Sequence, residues 1–174
     1  MLSAFAWSQA QELPEYINYA TAWNSTTNTS TPLAQEEGES KTKVGAQVLL
    51  PTAPLAKHKL VMKFSGLKSV SRIKAEDTLK IFVKIDKETN PEGLFKIYKA
   101  KVKSSIREVL YGTINVNSGT NRLDGDFSYT IKKISPGVFR LSVVGPKSGD
   151  ELFLFLSSHD SNEKFLAKLS LGID

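Results

Sequence analysis

The sequence contains no cysteine, and only two histidines occur among its 174 residues. The lack of cysteine excludes disulfide bonds, thiolate metal sites, a cysteine nucleophile and a lipid-modified N-terminal cysteine. It does not fix the cellular compartment, because many exported proteins also lack cysteine. Apolar runs are short as well, since none reaches the roughly 20 residues that a membrane-spanning helix needs.

Several catalytic motifs are also missing from the sequence, namely the Gly-x-Ser-x-Gly elbow, the Walker loop, the dinucleotide fingerprint and His-Glu-x-x-His. His58 lies between two lysines, whose positive charge opposes both protonation and metal binding. His159 is followed by Asp160 and Glu163, but a polar hairpin loop explains these residues better than a metal site, which needs three or four converging ligands. We therefore expect no enzyme activity, no metal site and no cofactor.

Charge is distributed unevenly along the chain. Residues 1–57 hold three lysines and five glutamates, a net charge of −2, whereas the remaining 20 basic and 13 acidic residues give residues 58–174 a net charge of +7. A basic body with a mildly acidic leader favours anionic partners. The excess of positive charge is too small to make nucleic acid the leading candidate for a binding partner.

The stretch from Thr78 to Asp86 has the clearest secondary-structure pattern. Its apolar residues alternate along the chain, and one face holds Leu79, Ile81, Val83 and Ile85. This period of two predicts a half-buried strand. Similar runs separated by turn residues follow, and Leu152–Leu156 is apolar on both faces, which predicts a central strand. The sequence thus predicts an all-β fold, an antiparallel β-sandwich of about nine strands over residues 44–174.

The first ten residues resemble the end of a secretory signal peptide. Leu2 to Trp7 are mostly apolar, and Ser8-Gln9-Ala10 matches a small-x-small cleavage site. Cleavage would leave Gln11 or Glu12 as the first residue, and it predicts a secreted, periplasmic or cell-surface protein. The alternative is that Met1 is the true start and that this segment is an ordered arm.

Residues 11–43 are predicted to form a leader and polar linker, extended and partly helical. A short helix beginning near Pro14 would place Leu13, Tyr16, Ile17, Ala20 and Trp23 on one stripe. The leader would either pack on the body or contact a neighbouring subunit, and the candidate contact residues are Tyr16, Ile17, Tyr19 and Trp23. Asn24–Pro32 is too polar to offset the entropy of ordering it by apolar burial, which predicts a linker.

A second candidate site is a run of basic residues without an intervening acid. The segment from Leu94 to Arg107 holds Lys96, Lys99, Lys101, Lys103 and Arg107. These residues predict either a patch for an anionic polymer or a solvated strand face whose lysines protect an edge from aggregation.

Three segments resemble uncharacterised secreted β-rich proteins of Bacteroidetes-type bacteria. They are Asn90-Pro91 leading into Phe95–Lys99, then Arg107-Glu108-Val109, and finally Gly149–Phe153, within residues 90–156. The resemblance implies an exported β-domain and transfers no catalytic residue.

We therefore expect a non-enzymatic, exported or surface-associated protein that acts through protein–protein contact, as an assembly subunit or adhesion module. One alternative is a structural subunit of a viral particle or filament, in which Met1 is genuine and the arm docks on a neighbour. Another is a binding module for an anionic polymer, either polysaccharide or nucleic acid.

Overall fold

The computed structural model describes residues 12–43, 58–115, 119–157 and 165–174, which contain β-strands and no helix. This confirms the predicted all-β class. The strands in these ranges number fifteen rather than about nine. They are β1 Tyr19–Asn24, β2 Thr29–Pro32, β3 Ala34–Gln35, β4 Glu39–Lys43, β5 His58–Ser65, β6 Arg72–Ile73, β7 Thr78–Lys84, β8 Phe95–Lys99, β9 Lys101–Lys103, β10 Ile106–Asn115, β11 Gly119–Arg122, β12 Tyr129–Ser135, β13 Val138–Val144, β14 Glu151–Ser157 and β15 Phe165–Ile173.

The strands form three sheets. Sheet 1 has the order β12-β13-β7-β1-β2, sheet 2 the order β3-β15-β14-β8, and sheet 3 the order β11-β10-β5-β4. Strand β6 pairs with β15 in sheet 2, and β9 pairs with β10 in sheet 3. The pairing of β6 with β15 is parallel, and the other pairings among the described strands are antiparallel.

Sheet 2 lies between two hydrophobic cores. Leu152, Leu154 and Leu156 of β14 belong to core 1, which they share with residues of sheet 1. Phe153 and Phe155 of the same strand belong to core 2, which they share with residues of sheet 3. Because successive side chains of a strand point to opposite faces, β14 contributes to both cores. The central position predicted for this strand is confirmed, and the sandwich-like fold has three layers.

Thr78–Lys84 is strand β7, as its alternation predicts, and it lies at the centre of sheet 1. It pairs with β1 on one side and β13 on the other. Leu79, Ile81 and Val83 point into core 1. Phe82 points to the opposite face and is also buried, so the strand is buried more completely than a half-buried pattern suggests.

The helix predicted near Pro14 is not present, because Tyr19–Asn24 is strand β1. Ala20 and Ala22 pack into core 1, and the strand pairs with β7 from Tyr19 to Trp23. Pairing with the buried strand β7 provides hydrogen-bond partners for the backbone N–H and C=O groups of this segment. A short isolated helix is only marginally stable in water.

The linker predicted over Asn24–Pro32 is instead a hairpin that joins β1 to β2. Its polar groups are satisfied by hydrogen bonds rather than by apolar burial. Glu76 Oε1 accepts bonds from Ser25 Oγ at 3.0 Å and Thr26 N at 2.9 Å, and Asn24 Oδ1 accepts one from Thr27 N at 2.8 Å. The polar composition therefore reflects a hydrogen-bonded turn.

Residues 19–43 thus supply strands to all three sheets: β1 and β2 to sheet 1, β3 to sheet 2 and β4 to sheet 3. The part of the predicted leader from Tyr19 onward is integral to the β-structure. The predicted signal-peptide segment 1–10 and the loop around His159 lie outside the described residues.

Candidate functional site

Lysine side chains collect on the outer face of sheet 3, the face turned away from core 2. Alternation places Leu60, Met62 and Phe64 of β5 in core 2, so Lys59, Val61 and Lys63 point outward. The neighbouring strands are in register, with Lys43 opposite Lys59, Leu110 opposite Val61, and Glu108 opposite both Lys63 and Lys101. Cross-strand pairing therefore brings together lysines from β4, β5 and β9.

A cavity of about 400 Å³ opens among these residues. Lysines from β4, β5, β8 and β9 form its rim, while Val61 and Leu110 supply apolar lining. We call it the lysine cavity; its described lining residues are Lys43, Lys59, Val61, Lys99, Lys101, Lys103, Glu108, Leu110 and Asp126. Five of the nine are cationic and two are anionic, which gives the lining a formal charge of +3.

Glu108 organises the ammonium groups of the cavity. Its carboxylate lies 2.7 Å from Lys43 Nζ, 2.8 Å from Lys103 Nζ and 3.7 Å from Lys63 Nζ. Hydrogen bonds from Lys103 and Lys43 lower the pKa of Glu108 from 4.5 to about 2, although desolvation opposes this shift. The carboxylate is thus ionised over the physiological range and fixes two lysine side chains.

The other lysines of the cavity are less constrained. Lys99 forms an ion pair of 2.6 Å with Asp150. Lys59 and Lys101 are exposed, and among the described residues neither forms an ion pair or a side-chain hydrogen bond. These two ammonium groups therefore lack an anionic partner among the described residues.

The five residues of the predicted basic patch divide into two groups. Lys99, Lys101 and Lys103 line the lysine cavity. Lys96 lies elsewhere and pairs with Asp124 at 2.6 Å, and Arg107 is buried beneath the sheet. The prediction that these five residues form one surface patch is therefore wrong. The run between residues 94 and 107 contains no acid, but its acidic partners come from other parts of the chain.

Sequence reasoning missed Lys43 and Lys59 as members of this site. The signal for Lys59 was present, because the alternation that places Leu60 in the core also places Lys59 and Lys63 on the outer face. Lys43 fell within the predicted linker, so no strand face was assigned to it. Only the pairing of β4 with β5 brings it to the cavity.

Arg107 takes part in a buried polar network between sheets 2 and 3. Its Nη2 donates to Glu36 Oε2 at 2.6 Å and to the Ser65 carbonyl at 2.9 Å. Ser170 Oγ donates to the other oxygen of Glu36. Glu151 accepts from Arg72 Nη1 and from the Ser69 backbone N–H, each at 2.7 Å. Each carboxylate has donors that stabilise its charge, which is typical of a structural ionic network.

The predicted subunit-contact residues differ in exposure, since one is buried and three are exposed. Trp23 lies in β1 and is only 7% exposed, so it is not available for contact. Tyr16 is 61% exposed, Ile17 49% and Tyr19 43%, and Leu13 nearby is 40% exposed. We call Leu13, Tyr16, Ile17 and Tyr19 the N-terminal corner. The rings of Tyr16 and Tyr19 meet edge to face with their centroids 5.8 Å apart.

Asp124-Gly125-Asp126 lies in the connection between β11 and β12. Asp124 pairs with Lys96, whereas Asp126 Oδ2 accepts a hydrogen bond from the Lys99 backbone N–H at 2.8 Å. The two carboxylates therefore have separate partners. Across the described ranges, no group of three or more His, Cys, Asp or Glu residues is placed to hold a metal ion.

The described residues contain no helix that is long and apolar enough to cross a membrane. Comparisons with protein-family models, with curated proteins and with solved structures found no match to this chain.

Proposed function

We propose that this protein is a non-enzymatic, exported or surface-associated β-domain that acts through protein–protein contact as an assembly subunit. The observation that carries the proposal is the N-terminal corner, where four large apolar side chains are each at least 40% exposed within seven consecutive residues. Clustered exposed apolar side chains are typical of interaction surfaces, whereas single ones are ordinary. Tyrosine is also enriched in interfaces because it combines a large apolar ring with a polar group.

The N-terminal corner is held in place before any partner arrives. Lys84 Nζ donates to the Glu15 carbonyl at 2.6 Å, and Thr21 Oγ1 donates to the Glu12 carbonyl at 2.9 Å. The Asn18 backbone N–H also donates to the Lys84 carbonyl at 2.7 Å. A surface that is already ordered loses less conformational entropy on binding, which favours association.

The charge distribution favours a second copy of the chain as the partner that binds the N-terminal corner. The corner is flanked by the exposed residues Glu12 and Glu15, whereas residues 58–174 carry a net charge of +7. An acidic margin on one copy is complementary to the basic body of another, and such complementarity steers association. A contact between two different surfaces is heterologous and generates rings or filaments, which suits an assembly subunit.

Sedimentation equilibrium over a wide protein concentration range tests this proposal. We expect reversible association of the wild-type protein, and an association at least about tenfold weaker for Tyr16→Ser/Ile17→Ser, the effect of losing one interface hot spot. Leu67→Ser/Val70→Ser is the matched control, because these side chains are 47% and 89% exposed but lie outside the corner. A wild-type protein that stays monomeric, or a control that weakens association equally, would contradict self-assembly through the corner.

The exported location is a separate part of the proposal and has its own test. The N-terminus of the protein isolated from its source is determined by mass spectrometry. Export with cleavage predicts a chain that begins at Gln11 or Glu12, outside the cytoplasm. Retention of Met1 in a particle or filament would favour the viral or filament subunit instead.

A further inference from the structure

We propose that the lysine cavity is a binding site for an acidic saccharide, a sugar that bears a carboxylate or sulfate group. This inference is independent of the N-terminal corner, since it rests on side chains of β4, β5, β8, β9 and β10. Its basis is a cavity lined by five lysines, two carboxylates and two aliphatic residues.

The cavity has positive charge that its own carboxylates do not neutralise. Glu108 already accepts from Lys43 at 2.7 Å and from Lys103 at 2.8 Å. Lys59 and Lys101 therefore remain available to an anion from outside. Two ammonium groups near one cavity attract a single anionic group more strongly than either does alone, because their potentials add.

The ion pairs of Glu108 also make the site rigid. A free lysine side chain loses rotamer entropy when it binds a ligand, but Lys43 and Lys103 are already held by the same carboxylate. The Glu108 pKa of about 2 keeps this arrangement charged at any ordinary pH. The rim on this side of the cavity is thus preorganised, which reduces the entropic cost of binding.

The remaining lining favours a sugar over a nucleic acid. None of the nine described lining residues is aromatic, whereas single-stranded nucleic acids are bound largely by stacking on aromatic side chains. Val61 and Leu110 provide apolar contact for the C–H groups of a sugar ring. Asp126 Oδ2 accepts a hydrogen bond from the Lys99 backbone N–H, so Oδ1 is available to accept one from a sugar hydroxyl.

The size of the cavity fits the same ligand class. Its volume of about 400 Å³ lies within the range of roughly 300–1,000 Å³ that is typical of small-ligand sites. It accommodates one part of a saccharide chain, with the anionic group toward Lys59 and Lys101 and the hydroxyl groups toward Asp126. A longer anionic polysaccharide would extend from the opening along the outer face of sheet 3.

Isothermal titration calorimetry with four probes tests the assignment. The probes are trigalacturonate, a sulfated galactotriose, neutral galactotriose and a short oligothymidylate. We expect the two acidic trisaccharides to bind at low salt and to weaken as sodium chloride is added, because the contact is electrostatic. Neutral galactotriose and oligothymidylate are expected to bind at least about tenfold more weakly, a difference of roughly 1.4 kcal/mol.

Two double variants separate a local site from a general effect of positive charge. Lys59→Gln/Lys101→Gln removes the unpaired lysines of the cavity and leaves the ion pairs of Glu108 intact. Lys132→Gln/Lys133→Gln removes the same charge from β12 in sheet 1. We expect the first to lower affinity for the acidic trisaccharides at least about tenfold and the second to change it less than about twofold.

The proposal is overturned by any of four results in these titrations. They are no binding of either acidic trisaccharide, equal binding of neutral galactotriose, equal or tighter binding of oligothymidylate, and equal losses in the two double variants. Circular dichroism of each variant confirms that a loss of affinity reflects the site and not unfolding.

Discussion

Arg107 on β10 and Glu36, the residue after β3, are 71 positions apart in the chain, and an ion pair of 2.6 Å joins Nη2 of the arginine to Oε2 of the glutamate. Arg107 is only 2% exposed, and its Nε also donates to the Gly66 carbonyl at 3.2 Å. The pair ties the segment between β3 and β4 to the interior between sheets 2 and 3. Arg107 therefore has a structural role in spite of its place in a basic run.

Arg107→Met is expected to lower the free energy of unfolding by about 3–5 kcal/mol, because Glu36 would be left without its buried partner. Urea denaturation followed by circular dichroism measures the change. Lys41→Met is the control, since Lys41 and Glu39 form an exposed pair of 3.1 Å. Such pairs contribute at most about 1 kcal/mol. Equal losses in the two variants would contradict the structural role of Arg107.

The sequence predicted the β-class and the strands β7 and β14 because their signal is local. Alternation alone predicts that β7 is a half-buried strand, and an apolar run on both faces predicts that β14 is central. The N-terminal strands were missed because their stability depends on distant partners. Ala20 and Ala22 form a strand only beside Ile81 and Val83 of β7, and the polar turn at residues 25–28 is ordered by Glu76.

The candidate sites show the same limit. Lys99, Lys101 and Lys103 were identified from one segment, and they do line one cavity. Lys43 joins them only through strand pairing, and Arg107 leaves the surface only because the chain folds over it. Ion pairing between distant segments decides which cations remain available, and a local sequence pattern does not contain that information.

Glu108 is expected to make stability depend on pH in acid. Its pKa is about 2 in the folded protein and near 4.5 in the unfolded chain, so its ion pairs stabilise the fold fully above about pH 5. This contribution is lost as the pH falls toward 2. The difference in unfolding free energy between wild type and Glu108→Gln should therefore be largest near neutral pH and shrink between pH 5 and pH 2.

Urea titrations at a series of pH values measure this dependence for Glu108→Gln. Glu39→Gln is the control, because the Glu39 side chain is 67% exposed and its ion pair within the described ranges is with the exposed Lys41. We expect its difference from wild type to stay small at every pH. A Glu108→Gln difference that is constant from pH 7 to pH 2 would be inconsistent with a strongly lowered pKa.

Gly125 is expected to resist substitution by alanine more strongly than Gly93. Both have positive φ, +96° and +72°, so an alanine at either position costs about 1–2 kcal/mol of backbone strain. A Cβ on Gly125 would also lie 2.6 Å from the Ile97 carbonyl oxygen, whereas at Gly93 nothing lies within 4 Å. Gly125→Ala should therefore destabilise the protein by about 1–3 kcal/mol more than Gly93→Ala.

Thermal unfolding of the two glycine variants, followed by circular dichroism, provides the comparison. The Asp126 backbone N–H donates to the same Ile97 carbonyl at 2.8 Å, so the turn has little room to move away from the edge of β8. Identical midpoints for Gly125→Ala and Gly93→Ala would show that this close approach does not constrain the fold.

Phe155→Ala is expected to destabilise both cores together, although its side chain belongs to core 2. The ring is fully buried and lies 4.6 Å from the Phe165 ring and 5.1 Å from the Tyr98 ring, centroid to centroid. Removing it should cost about 3–5 kcal/mol. Because β14 also supplies Leu154 to core 1, the loss should be transmitted to sheet 1.

Guanidinium denaturation of Phe155→Ala in a Trp7→Phe background tests this coupling, since Trp23 on sheet 1 is then the sole tryptophan. Trp23 fluorescence and far-ultraviolet circular dichroism should shift to the same lower midpoint, as a single cooperative unit requires. Val70→Ala is the control, because Val70 is 89% exposed and should change stability by less than about 0.5 kcal/mol. If the dichroism transition shifts while the Trp23 transition stays in place, the layers unfold separately and β14 does not couple the two cores.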